Sequence, residues 1–138
     1  MSGRIVFVDW ITRNMVQSQP EARFVFGDNL ERFGLGGQAA SMRGEPNAIG
    51  VATKRRPGAS AADYFKDGER DALAAIDADI DRVVAALAEG RTVFVPFDGL
   101  GTGLSELPTR APGLHRHIVA RFHEIASDCP WPMPEART

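Results

Sequence analysis

The chain has 138 residues, enough for one domain and too few for two ordinary ones. Its 16 basic residues oppose 18 acidic ones, and the resulting formal net charge of −2 argues against a non-specific nucleic-acid binder. No apolar run approaches the roughly 18 residues of a membrane span, no signal-peptide pattern begins the chain, and the single cysteine, Cys129, excludes an internal disulfide or a Cys-based zinc site. These features predict a small soluble domain in the cytoplasm, with no membrane partner and no cofactor.

The first half of the chain predicts three buried strands and two short helical segments. Short apolar runs rich in β-branched and aromatic residues predict the strands, at residues 4–8, 23–26 and 48–52. Asp9 and Thr12 are expected to cap a helical turn after the first strand. A loop with four glycines, residues 27–37, follows the second strand, and a short helix is expected over 38–43. Residues 53–67 predict a second loop.

The second half predicts two helices on either side of one more strand. Apolar residues spaced by three and four within 73–87 predict a long helix, which ends at Gly90. A buried strand at 92–95 follows, and after it comes another glycine-rich loop, residues 97–105. The last helix is expected to begin near Pro112, because proline suits the first helical turn.

The pattern of the strands predicts how the elements are layered. All four strands are continuous apolar runs, and such strands have both faces of their sheet covered. The sequence therefore predicts an α/β domain of three α/β/α layers over residues 1–127. Residues 128–138 contain three prolines and no periodicity, so they are expected to form either a strap over the domain or a disordered tail.

The two glycine-rich loops predict an anion site. Each loop follows a buried strand, and ligands of open α/β sheets bind beyond the carboxyl ends of the strands. Glycine there lets backbone N–H groups approach an anion closely, which predicts a clamp for a phosphate or pyrophosphate. We expect Gly101 to serve this close approach rather than the core. The alternative is that the glycines only form tight turns.

Two familiar nucleotide motifs are excluded. Residues 34–39 match the dinucleotide fingerprint G-x-G-x-x-A, but seven residues separate the match from Phe26 and no acidic residue follows at the distance that a ribose contact requires. The phosphate-binding motif GxxxxGK[ST] is absent from the sequence. Neither a Rossmann site nor a P-loop is predicted.

Polar residues follow the predicted strands at the points where loops begin. Asp28 and Asn29 come after the second strand, and Asp98 holds the matching place after the fourth. Such side chains can bond a ribose hydroxyl or can form an Asx turn that stabilises the loop itself. The turn is favoured for Asp28, and both roles stay open for Asn29 and Asp98.

Lys54 is a candidate nucleophile. It lies just beyond the third strand, and the like charges of Arg55 and Arg56 would favour the neutral amine that attack on a carbonyl carbon requires. The alternative is a solvated basic loop or a plain phosphate contact. The three histidines do not share a helical face at metal-site spacing, so no metal site is predicted.

Several motifs together resemble the macrodomain family. The matching pieces are the glycine-rich stretch GLGGQAA at 34–40, Thr53-Lys54-Arg55, the stretch that continues to Ser60 and Tyr64, and the second loop GTGL at 101–104. They occur in the family's order, and the resemblance covers about residues 4–126. The branch that the chain resembles most is that of the terminal ADP-ribose protein glycohydrolase, which includes antitoxins that reverse ADP-ribosylation of DNA.

This resemblance implies a fold, a ligand and a reaction. The fold would be a three-layer α/β/α macrodomain with a mixed, mostly parallel sheet, binding ADP-ribose in a cleft over the strand ends. In that branch a lysine attacks the anomeric carbon of the distal ribose, and Lys54 falls on its position. An acid after the second loop assists; here Ser105 holds the acid's place and Glu106, next to it, is the candidate.

The ligand contacts implied by the loops and the resemblance are Asp9 near the adenine, Asp28, Asn29, Gly36, Gly37, Gln38, Gly99, Gly101, Thr102, Gly103, Leu104 and Ser105. Backbone N–H groups at 36–37 and 101–103 would hold the pyrophosphate. The expected partner is an ADP-ribose-type nucleotide or an ADP-ribosylated macromolecule. The alternatives are a non-catalytic reader that sequesters a nucleotide and a protein-interaction domain with a disused pocket.

Overall fold

Four strands and five α-helices make up residues 3–133, the part of the chain that the computed structural model describes. In chain order the elements are β1 (Arg4–Val8), α1 (Arg13–Ser18), β2 (Arg23–Asn29), α2 (Ala39–Met42), β3 (Ala48–Lys54), a 3-10 helix (Ala61–Asp63), α3 (Arg70–Ala88), β4 (Thr92–Pro96), α4 (Leu107–Arg110) and α5 (Pro112–Ile125). No helix in this part of the chain is long and apolar enough to cross a membrane.

The strands form one sheet in the order β1-β4-β2-β3, and every neighbouring pair is parallel. The mixed sheet that the family resemblance implies differs from this, because the sheet within residues 3–133 has no antiparallel strand. Parallel neighbours need a crossover connection, and the helices between the strands supply it.

Helices cover both faces of the sheet, which confirms the predicted three layers. Val25 points to the face where Ile80 of α3 and Phe122 of α5 belong to the same buried cluster. Phe24 and Phe26 point to the other face and join α1 and α2 in a smaller cluster. Because successive strand residues alternate between faces, a strand that is apolar at every position buries both.

Side chains cover the free edge of β3. The N–H of Ala52 donates to Asp79 of α3 at 2.9 Å, and the carbonyl of Gly50 accepts from Arg82 at 3.0 Å. Arg32 donates two hydrogen bonds to Asp79, at 2.8 and 2.9 Å. An uncovered edge strand offers unpaired backbone groups to other chains, and these contacts occupy them.

The strands that lead to the candidate site are longer than the sequence predicts. β2 continues to Asn29 and β3 to Lys54, and the two ends pair across a bulge between Asp28 and Asn29. The sequence did not predict this extension, because its side chains are polar and strands were predicted from apolar runs. Backbone pairing depends on the neighbouring strand rather than on apolar character. The three residues are therefore held by the sheet rather than by loops.

The helix α5 begins at Pro112 as predicted, whereas the predicted cap of α1 is only half right. Thr12 caps α1 as predicted, accepting from the N–H of Met15 at 3.2 Å, whereas Asp9 takes no part in the cap. At α5 the backbone N–H groups of Gly113 and Leu114 donate to Asp67, which approaches from a distant loop, at 3.0 Å each. The short α4 and the 3-10 helix were not predicted, because single turns carry no periodicity.

The chain after α5 returns over the sheet as far as residue 133. Trp131 is buried against Phe7 and Phe122, with ring centroids 5.5 and 5.0 Å away. Its indole N–H donates to the carbonyl of Phe97 at 2.9 Å, which ties this segment to the beginning of the second glycine-rich loop. The part of the expected tail beyond residue 133 lies outside the described residues.

Candidate functional site

The topology opens a cleft between the ends of β2 and β4. These strands are neighbours, yet the chain leaves β2 toward α2 on one face and leaves β4 toward α5 on the other. Ligand sites of open α/β sheets form where connections diverge in this way. The cleft has a volume of about 790 Å³, and both glycine-rich loops line it, so the two loops lie at the same edge of the sheet, as a clamp between them requires.

Every residue that the sequence analysis singled out for the site lines this one cleft. They are Asp9, Asp28, Asn29, Gly36, Gly37, Gln38, Lys54, Asp98, Gly99, Gly101, Thr102, Gly103, Leu104, Ser105 and Glu106. Trp10, Phe33, Arg43 and Tyr64 also line it and were not assigned a contact in advance. The fold therefore brings the candidate residues together in one cleft, and the contacts of each side chain indicate its role.

Several backbone N–H groups in both loops have no hydrogen-bond partner in the part of the chain that the structure describes. Among residues 3–133, the N–H groups of Gly36, Gly37, Gly101, Thr102 and Gly103 donate to no other protein group. Neighbouring carbonyls are occupied: Gly36, Gly37, Gly101 and Gly103 each accept a backbone hydrogen bond from further along the chain. A turn whose donors stay free while its acceptors are used presents positive partial charge to a ligand.

The glycines of the second loop differ in whether the fold requires them. Gly101 has φ +78°, and an added Cβ would lie 2.9 Å from Cβ of Leu107 and 3.2 Å from Cβ of Thr53. The expectation that the core does not require glycine at this position is therefore wrong, while the contact of Gly101 with a ligand stays a prediction. At Gly103 an added Cβ would meet nothing within 4 Å. Its missing side chain leaves room in the cleft without serving the fold.

The two loops touch at the mouth of the cleft. A Cβ at Gly36 would lie 2.7 Å from Cδ1 of Leu104, so the leucine of the second loop rests on the first. Leu104 is nevertheless 68% exposed. Three other large apolar side chains of the cleft are similarly exposed, namely Phe33 (68%), Leu35 (66%) and Trp10 (60%). These four side chains form an apolar rim around the polar loop backbones.

Several polar candidates are already engaged in holding the loops. Asn29 donates to the carbonyl of Phe33 at 2.7 Å and accepts from the N–H of Glu31 at 3.0 Å, so it forms the Asx turn. Gln38 bonds both the N–H and the carbonyl of Ile11, at 2.8 Å each. Its amide therefore binds the segment after β1, leaving only its backbone for a ligand.

Asp28 is part of a charged brace rather than a free ligand contact. Its carboxylate accepts from Arg43 and from its neighbour's N–H, and only 4% of its side chain is exposed. Arg43 also donates to the carbonyls of Gly34, at 2.6 Å, and Phe33, at 3.3 Å. Asp28 therefore does more than the predicted turn requires, because it binds the arginine that holds the first loop.

Lys54 is a buried cation inside the cleft. Its Nζ donates to the carbonyl of Gly58 and lies 4.6 Å from the ring centroid of Tyr64. A carbonyl oxygen and an aromatic face are both partners for an ammonium group. Lys54 is 8% exposed, so its ammonium group faces the cleft and has little contact with bulk solvent.

The arginines beside Lys54 turn to other carboxylates. Arg55 bonds Asp71 at 2.8 Å through both of its terminal nitrogens and pairs with Glu69 at 3.0 Å; the hydrogen bonds to Asp71, above all, hold its pKa above the ordinary value. Arg56 lies 3.6 Å from Asp63. Both charges that were expected to act on Lys54 are therefore paired with carboxylates.

Glu106 enters the cleft from a left-handed backbone position. Its φ is 48°, an unusual conformation for a residue with a side chain. One carboxylate oxygen accepts from Arg110 at 3.2 Å, and the other lies 3.5 Å from the hydroxyl of Tyr64. Glu106 and Lys54 thus approach the same tyrosine.

Ser105 cannot replace the acid. Thr53 donates its hydroxyl to the carbonyl of Asp28 at 3.1 Å, so the 2.7 Å contact between Thr53 and Ser105 is donated by the serine. This chain of hydroxyls joins the second loop to the ends of β2 and β3. The hydroxyl of Thr102 likewise closes its own loop on the carbonyl of Asp98 at 3.1 Å.

The remaining acidic candidates are exposed. Asp9 and Asp98 follow β1 and β4 and lie on the wall of the cleft, open to solvent. In residues 3–133, no three His, Cys, Asp or Glu side chains come together as a metal site would require. The chemistry that the described cleft offers is therefore anion binding by backbone and Lys54, with a carboxylate nearby.

Fold and site define an α/β protein of three layers with a cleft at the carboxyl edge of its parallel sheet. The chain belongs to a family of unknown function, DUF7831, which it matches over residues 6–121. No curated protein and no solved structure matches it.

Proposed function

We propose that the cleft binds an ADP-ribose-type nucleotide, with the pyrophosphate between the two glycine-rich loops. The observation that carries this proposal is the set of free N–H groups on both loops, at 36–37 and at 101–103. Helix-terminal and loop N–H groups of this kind bind phosphate oxygens without needing a side-chain cation. The positive charge of Lys54 in the same cleft supports an anionic ligand.

The size and lining of the cleft also support a nucleotide. Ligand clefts span about 300–1,000 Å³ and combine apolar surface with a few polar groups, and the volume here, about 790 Å³, falls in that range. The rim residues Trp10 and Phe33 offer aromatic faces for a base, and Asp9, which precedes Trp10 in the chain, lines the same cleft. We propose on these grounds, together with the order of the motifs, that the fold is macrodomain-like.

Removal of ADP-ribose from a modified macromolecule is the reaction that this cleft suits. Nζ of Lys54 would bond to the anomeric carbon of the distal ribose as the bond to the modified group breaks, and the carboxyl of Glu106 would give the leaving group its proton. Water would then release ADP-ribose and restore the amine. General acid assistance contributes about 10² to 10⁴ in rate, so a well-placed Glu106 decides the turnover.

The contacts of Lys54 favour a second function, that of a non-catalytic reader. An amine nucleophile needs a free lone pair, whereas Lys54 is held by the Gly58 carbonyl and by Tyr64 as an ammonium group would be. In that state it contributes charge to binding and no attack. We therefore expect binding with slow hydrolysis.

Calorimetry with matched ligands tests the binding proposal. ADP-ribose should bind at least about tenfold more tightly than adenosine, since only ADP-ribose carries the pyrophosphate. Gly103→Val should weaken ADP-ribose and leave adenosine unchanged, because the new side chain enters the cleft and not the core. Asp81→Asn, on the exposed surface of α3, is the control and should bind as the wild type does. Equal affinities for the two ligands would refute the proposal.

A time course of ADP-ribose release separates the enzyme from the reader. The substrates are an ADP-ribosylated protein and an ADP-ribosylated nucleic acid, and the variants are Lys54→Ala, Lys54→Arg and Glu106→Ala. If Lys54 is the nucleophile, both of its variants lose turnover, while Lys54→Arg keeps affinity because it keeps the charge. Turnover that survives Lys54→Ala would show that another group attacks. Binding without turnover in the wild type identifies the reader.

A further inference from the structure

Two cations meet at the ring of Tyr64. The ring follows the 3-10 helix (Ala61–Asp63) and is 5% exposed. Nζ of Lys54 lies 4.6 Å from its centroid and Cζ of Arg110 lies 3.6 Å from it. Both distances are within the roughly 6 Å of a cation–π contact. Arg110 comes from α4, which the second glycine-rich loop leads into, whereas Lys54 ends β3.

The same ring also locates the carboxylate. Arg110 donates to Glu106 at 3.2 Å while its guanidinium stacks on Tyr64. The hydroxyl of Tyr64 lies 3.5 Å from the other oxygen of Glu106. Lys54 ends β3 and Glu106 precedes α4, far away in the sequence, and both approach the same aromatic side chain at one end of the cleft.

We propose that Tyr64 is a positioning residue for this end of the cleft. Its ring holds the Lys54 ammonium group against the Gly58 carbonyl, and through Arg110 it fixes the direction of Glu106. A phenylalanine would fill the same space and keep both cation–π contacts, so the ring is the part that positions Lys54. The consequence for the reaction rests on the proposed roles of Lys54 and Glu106.

The sequence offers an internal control for a direct test. Lys54 and Lys66 are the two lysines of the chain, and Lys66 is exposed. Acetic anhydride at a limiting dose modifies free amines, and peptide mass spectrometry gives the ratio of labelling at the two lysines. This ratio reports the environment of Lys54 without any ligand or substrate, and so it does not depend on the proposed function.

Three proteins are compared, the wild type, Tyr64→Phe and Tyr64→Leu. Tyr64→Leu should raise the Lys54 to Lys66 ratio at least about threefold, because the amine loses its aromatic partner. Tyr64→Phe should leave the ratio unchanged. An unchanged ratio in a folded Tyr64→Leu protein would overturn the proposal, and so would an equal rise in both variants. Circular dichroism and the fluorescence of buried Trp131 check the fold.

Ligand and turnover measurements on the same variants show what the positioning does. Tyr64→Leu should lower the rate of ADP-ribose release more than it lowers affinity, and Tyr64→Phe should lie close to the wild type in both. If the wild type binds no ADP-ribose, the proposed function fails, while the labelling ratios still decide whether Tyr64 holds Lys54. If affinity and rate fall together in Tyr64→Leu, the ring serves binding, and the proposed consequence of its positioning for the reaction is refuted.

Discussion

Substitution of Gly101 by alanine should destabilise the fold itself. Gly101 adopts φ +78°, where a residue with a Cβ is strained by about 1 kcal/mol or more. The added Cβ would also lie 2.9 Å from Cβ of Leu107 and 3.2 Å from Cβ of Thr53, and neither neighbour is a flexible side-chain end. Overpacking of this kind costs about 1–3 kcal/mol. Together these effects predict a loss of about 2–4 kcal/mol.

Urea unfolding followed by tryptophan fluorescence measures this loss. Trp131 is buried and becomes exposed on unfolding, and a slope of roughly 1–3 kcal/mol per molar urea converts the loss into a midpoint shift of about 0.7 M or more. Gly103→Ala is the matched control, since its Cβ would meet nothing within 4 Å. It should stay within about 0.5 kcal/mol of the wild type. A Gly101→Ala protein as stable as Gly103→Ala would refute this account of the loop.

Three further changes test the remaining structure. Asp79→Asn should lower the free energy of unfolding in urea by about 2 kcal/mol, because a buried carboxylate loses its ion pair with a partly exposed arginine. The control Asp81→Asn, on the surface, should lower it by less than about 1 kcal/mol, and equal losses would contradict this account. Trp131→Ala should cost about 3 kcal/mol and the exposed Trp10→Ala almost nothing, as thermal unfolding would show. Burial lowers the pKa of His115, so the unfolded state binds a proton that the folded state does not, and the free energy of unfolding should fall as pH drops below about 6.5. His115→Gln should flatten that pH profile between pH 7.5 and 5.5; an unchanged profile would show that other groups cause it.

Layering could be predicted because it depends on local pattern. Strands that are apolar at every position require cover on both faces, and the residues at 24–26 show why: alternate side chains enter two different clusters. Strand ends could not be predicted, because Asn29 and Lys54 are paired by the neighbouring strand and not by their own character. The short α4 carries no period, and its buried Leu107 packs close to Gly101, a contact that the sequence does not reveal.

Some features of the candidate site could also be predicted from the sequence, and others could not. The loops were found from glycine content and from their place after strands, because the carboxyl ends of parallel strands share an edge. Arg43 gave no such signal, since its contact with Asp28 spans 15 residues and forms only in the folded chain. The approach of Tyr64 to Glu106 spans 42 residues. Whether a glycine serves a ligand or the core, as at Gly101, likewise depends on a neighbour that the sequence does not reveal.

Amide chemical shifts test the central proposal most directly. The chain contains 14 glycines, so ¹⁵N-glycine labelling gives a small set of signals, which single substitutions can assign. On titration with ADP-ribose, the amides of Gly36, Gly37 and Gly103 should shift, because their free N–H groups would bond the pyrophosphate. The amide signals of Gly68 and Gly90, which do not line the cleft, should stay in place. Saturation without movement of the loop glycines would contradict the proposed pyrophosphate site.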